Sequence, residues 1–152
     1  MSTACWIENL DIIIVKAVEH LSGTFNNIFD KIRGDFTMDI VSSFRDFVPG
    51  QIVEFQYYWI WHQGILTEVN PTRNTITVIH YGTKHLFATR TIVEEEFEVN
   101  LMKQTIRISR ADPQNSYTPD EVIRNARNRL DEQNWRPGNR SRDFCRKCFF
   151  KE

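Results

Sequence analysis

The chain has 152 residues, enough for one domain with a sizeable core, and its 41% hydrophobic and 12% aromatic content excludes a disordered chain. A net charge of -1 and a pI near 6.4 give no global basic signature, so any nucleic-acid binding has to come from a local patch. Three cysteines, Cys5, Cys145 and Cys148, are too few and too uneven for a disulfide framework and point to a reducing compartment, while the apolar runs are too short or too charged for a signal peptide or a membrane span.

The first third reads as helix. Ile7, Leu10, Ile14, Val18, Leu21, Phe25, Ile28 and Ile32 recur at spacings of three and four, and Trp6, Ile12, Ile13 and Val15 widen the stripe. Gly23, Thr24 and Asn26-Asn27 divide it into two helices. So broad a stripe must be covered, by the sheet, by a second copy of the chain in a homodimer, or by a membrane surface; the mixed charge of its polar side disfavours the membrane. Met38, Ile40, Val41, Phe44 and Phe47 continue the amphipathic pattern, which predicts a helical extension over 1–48 ahead of a domain over 49–152.

Pro49-Gly50 is a turn signal, and three strand-like runs follow. They are Ile52 to Phe55, Tyr57 to Leu66 and Thr75 to Tyr81, the last two separated by Asn70-Pro71-Thr72-Arg73-Asn74. In the third run Ile76, Val78 and His80 share one face, so His80 points where the apolar residues point. His62 stands two residues before Gly64, whose missing side chain lets a neighbour approach closely. Pairing the two strands brings both imidazoles to one end of the sheet, and a histidine base needs such an orienting partner.

Beyond the meander, Glu94, Glu95, Glu96 and Glu98 around Phe97 read as a solvated edge strand. Ile106 and Ile108 alternate with Thr105 and Arg107 in another half-buried strand. Thr118-Pro119-Asp120-Glu121 is a capping box with proline at the first helical position, and Val122, Ile123, Ala126 and Leu130 line the buried side of the helix it opens. From Arg136 on, Arg136, Arg140, Arg142, Arg146 and Lys147 interleave with Trp135, Phe144, Phe149 and Phe150, a composition suited either to single-stranded RNA or to a solvated basic tail. Cys145-x-x-Cys148 lacks a second pair for zinc, leaving scattered histidines such as His85, and lacks the context of a redox dithiol; no metal or other cofactor is expected.

Pro-Gly-x-Ile-Val-Glu-Phe from Pro49, His62-x-Gly-Ile, and Val-Ile-His80-Tyr in this order resemble the lecithin:retinol acyltransferase-like family, with its H-rev-type phospholipase/acyltransferases and the H-box/NC 2A proteins of picornaviruses. The resemblance runs from Pro49 to about Phe144. It implies an α+β, permuted papain-like fold, a small antiparallel meander packed with helices, with His62 as general base and His80 as the residue that orients it. The family's Asn-Cys-Glu-His-Phe nucleophile segment is not reproduced. Matching Phe144 to its last residue puts Ser141 in the nucleophile position, Arg140 in place of asparagine and Asp143 in place of histidine; a cysteine requirement selects Cys145 instead.

Two functions are open at this level. The first, which the resemblance to parechovirus-type 2A proteins implies, is a non-proteolytic viral protein of the host cytoplasm with an incomplete site, serving genome replication by binding RNA or host and viral proteins. The second is a thiol acyltransferase or phospholipase in which Cys145 attacks an ester and His62 takes its proton.

Overall fold

Antiparallel pairing organises the computed structural model, which describes residues 38–57, 60–83, 88–110 and 114–151. The helical stripe from Ile7 to Ile32, Cys5 and His85 lie outside the described residues. Among the described residues six strands form one sheet: β1 (Met38–Ile40), β2 (Ile52–Tyr57), β3 (Ile60–Asn70), β4 (Thr75–Gly82), β5 (Thr91–Glu98) and β6 (Arg107–Ser109). Their order is β1-β6-β2-β3-β4-β5, and every neighbouring pair is antiparallel. Two helices follow, α1 (Pro119–Arg127) and α2 (Ser141–Phe149), so the fold class is α+β.

The meander arises as the alternation predicts. Asn74, at φ 55°, takes the left-handed turn that asparagine tolerates, and the Asn70 side chain accepts from the Arg73 N–H at 3.2 Å, so β3 and β4 are joined by local chemistry. Both faces of β4 are covered. Ile79 and Tyr81 belong to a core with Ile52, Ile65 and Ile92 and with Val122, Ala126, Phe144, Cys145, Cys148 and Phe149 from the helices. Ile76 and Val78 belong to a second core with Val53, Phe55, Leu66, Val41, Phe47, Ile106 and Ile108. Each fully buried aliphatic side chain in these layers contributes about 1.5–3 kcal/mol.

The expected boundary at residue 48 is corrected. Met38–Ile40 is not helical; it is a strand paired with β6, and Phe44–Asp46 is a single 3₁₀ turn capped by Ser43. Val41 and Phe47 fill the second core, so this segment is part of the domain. Three residues are too few to show a strand period, and the partner of β1 lies about 70 residues away, so the local spacing of apolar residues reads as helix.

Two glycines fix close approaches. Gly50 has φ 94°, and a Cβ there would lie 2.6 Å from Pro119 Cα, so the turn into β2 seats directly against the start of α1. A Cβ on Gly64 would collide with Val78 Cγ1 and sit 2.9 Å from the Ile79 carbonyl oxygen, which confirms the close approach expected beside His62.

α1 begins at the capping box the sequence announces: Thr118 Oγ1 accepts from Glu121 N–H at 3.3 Å. Val122 and Ala126 are buried, but Leu130 lies beyond the helix and is exposed. α2 starts at Ser141, and Asp143 does not occupy its cap position. The Asp143 carboxylate instead accepts from the Arg140 backbone N–H at 2.9 Å, from the third helical position. Its C-terminal end is tied down by Tyr117 N–H to Phe149 O and Lys151 N–H to Asn115 O.

Candidate active site

Four side chains from four elements form one continuous chain of contacts. Ser141 Oγ, on the first residue of α2, lies 3.1 Å from His62 Nδ1. His62 Nε2 lies 2.9 Å from His80 Nδ1. His80 Nε2 lies 2.8 Å from Glu95 Oε1. All four imidazole nitrogens thus have polar partners, the condition for placing two histidines in the interior.

The register makes this geometry. His62 is directly opposite Phe55 across β2 and β3, and Val78, two residues before His80, is opposite Glu95 across β4 and β5. An aromatic box holds the rings: Phe55 and Tyr57 stand 5.6 and 5.0 Å from His62, and Phe97 stands 5.2 Å from His80. Tyr57 is itself fixed, its hydroxyl donating to the Thr83 carbonyl at 3.0 Å. His62 and His80 are 1% and 0% exposed, Ser141 is 7% exposed, and the Glu95 side chain remains 44% exposed.

The loop before α2 is anchored to the sheet. Asn139 is buried and donates through Nδ2 to the Asn134 carbonyl at 2.8 Å and to the Tyr81 hydroxyl at 3.3 Å. Phe144, one turn into the helix, packs its ring 5.8 Å from that of Tyr81, with the Arg129 guanidinium 5.0 Å from its centre. These contacts set the height of Ser141 above His62.

The structure therefore brings together His62, His80 and Ser141. Cys145, one turn further along α2, lies inside the helix–sheet core, fully buried. Burial, then the neighbouring Cys148, pushes its thiol well above the usual range, and burial pushes Cys148 up to about 12, so both are held as neutral packing groups. Glu95 is the site residue that the sequence concealed. Its signal is period-two: Val93, Glu95 and Phe97 share one face of the strand, and Glu94, Glu96 and Glu98 the other.

The chain matches no family model, no curated protein and no solved structure.

Of the basic residues assigned to RNA, Arg136 and Lys147 are exposed, whereas Arg140, Arg142 and Arg146 are half-buried against the helix. Burial, and then Arg146, lowers the Arg142 guanidinium to about 10, and Arg146 stacks 5.2 Å from the centre of Phe150. Among the described residues no group of three or more His, Cys, Asp or Glu side chains is placed to hold a metal ion. No helix among them is long and apolar enough to cross a membrane.

Burial, followed by the proximity of His80, holds the His62 imidazole well below its ordinary 6.5, so it is neutral at physiological pH, the form a general base requires. The unfolded chain binds a proton at this residue near pH 6.5, before the folded chain does, so the stability associated with neutral His62 is present above 6.5 and lost as pH falls below it towards the depressed folded value. The urea midpoint should decline on acidification below pH 6.5, and part of that decline should vanish in His62→Gln. Identical pH profiles for the two proteins would contradict the assignment.

Proposed function

We propose that the chain is a serine-dependent acyl-transfer enzyme, built on the permuted papain-like arrangement that its resemblance to the acyltransferase-like family implies. The setting we propose for it is the cytoplasm of a virus-infected cell, as the H-box/NC resemblance suggests. The observation that carries the chemistry is Ser141 Oγ at 3.1 Å from His62 Nδ1, on the first residue of a nine-residue helix.

The steps balance without a further reagent. His62 takes the Ser141 proton as Oγ attacks the carbonyl carbon of an ester or thioester. The oxyanion meets the first-turn N–H groups of α2, which a helix leaves without internal acceptors. The intermediate collapses, the bond to the leaving alcohol or thiol breaks, and the leaving group carries away the proton from His62. Water or an acceptor nucleophile then attacks the acyl-serine, giving its proton through His62 back to Ser141.

The absent cysteine motif, the amphipathic extension and the basic tail favour a binding scaffold with an incomplete site. Ser141 supplies a hydroxyl at the nucleophile position, so the geometric support for acyl transfer is closer than that for RNA binding through half-buried arginines. Incubation with a p-nitrophenyl acyl ester, followed by peptide mass spectrometry, should place the acyl group on Ser141, with no adduct in His62→Ala. An adduct on Cys145 would return the thiol mechanism, and labelling of Ser141 indifferent to His62 would reject the base.

A further inference from the structure

We infer that Glu95 is a positioning residue that sets the direction of the whole hydrogen-bond chain and thereby holds Ser141 as the proton donor. The inference deepens, and rests on, the acyl-transfer reading of Ser141. A carboxylate is an acceptor only, so the nitrogen that faces it, His80 Nε2 at 2.8 Å, must carry the hydrogen. A neutral imidazole has one N–H, so His80 Nδ1 presents a lone pair, and His62 Nε2 at 2.9 Å must donate to it. His62 Nδ1 is then a lone pair as well. The Ser141 hydroxyl, 3.1 Å away, donates to it, which is the orientation a general base requires. The reverse direction needs a protonated Glu95 or a second proton on His80.

Phe55, Tyr57 and Phe97 fix the planes of the imidazoles through ring contacts, which do not distinguish one tautomer from the other. The strand also sorts its carboxylates by face. Glu94 pairs with Arg127 at 3.3 Å and Glu96 with Arg73 at 3.5 Å, while Glu95 turns to His80.

The test is the ¹⁵N–¹H imidazole spectrum of the full chain labelled at histidine, which reports tautomers independently of activity. In the wild type both His62 and His80 should be single Nε2–H tautomers; an Nδ1–H tautomer at His62 overturns the inference without any variant. In Glu95→Leu both should become tautomer mixtures, and acylation of Ser141 by the p-nitrophenyl ester should slow about 10-fold to 100-fold in its limiting rate, with the half-saturating ester concentration unchanged. Tautomers that ignore Glu95 while Ser141 is still acylated reject this role alone. Tautomers that follow Glu95 in a protein whose Ser141 is never acylated sustain it while the acyl-transfer reading falls.

Discussion

Ser141→Cys should turn the site into a thiol reagent. A thiol at this position stands against His62 Nδ1 and in the positive first turn of α2, the two influences that favour a thiolate. An unperturbed cysteine is only about 3% thiolate at pH 7, so full ionisation at residue 141 raises its alkylation rate roughly 30-fold over an ordinary cysteine. Cys145 and Cys148 provide the contrast inside the same helix, since burial pushes their thiols up, the second to about 12. Iodoacetamide at neutral pH, read by peptide mapping, should therefore modify residue 141 and spare Cys145 and Cys148 in the folded protein. Adding His62→Ala should remove most of the advantage. Equal rates at 141 with and without His62 would mean that the imidazole does not govern proton transfer there.

Phe144→Ala should cost about 3–5 kcal/mol, a large share of the roughly 5–15 kcal/mol by which a domain is usually stable. The ring is fully buried between α2 and the sheet, edge-on to Tyr81 and capped by the Arg129 guanidinium, which Glu132 holds at 2.7 Å. Truncation leaves a cavity where the helix meets β4, and Arg129 loses the face it stacks on. Urea unfolding measures the loss directly; a change below 1 kcal/mol would show that α2 can collapse onto the sheet without this ring. Because Ser141 stands one turn before Phe144, acylation of Ser141 should weaken in parallel with the helix.

Much of this was legible because the deciding chemistry is local. Asn70 to Asn74 can only turn, Thr118 to Glu121 can only start a helix, and Ile76, Val78 and His80 share a face by alternation alone. His62 and His80 stood out through their motifs. Ser141 was one of two candidates, since a helix places positions four apart on the same side and Cys145 has the more reactive group. What decides between them is that the first turn alone stands against His62, a fact of packing rather than of composition. Glu95 was hidden by its neighbours, because a run of carboxylates masks an alternation that one charged residue between Val93 and Phe97 would have displayed. β1 was missed because its partner is remote in the chain.

The order of the strands also divides the site in time. His62 is 18 residues from His80, and His80 is 15 from Glu95, all within consecutive hairpins, whereas Ser141 is 79 residues from His62. Closing the longer loop costs roughly 1.3 kcal/mol more in chain entropy than closing the 18-residue one. Local contacts form sooner than distant ones, so the proton-accepting half of the site belongs to an early hairpin unit and the nucleophile to a late docking event. On the proposed acyl-transfer function, an emerging chain thus carries the histidine–carboxylate relay before it carries the serine for that relay to activate, and reactivity waits for the last helix.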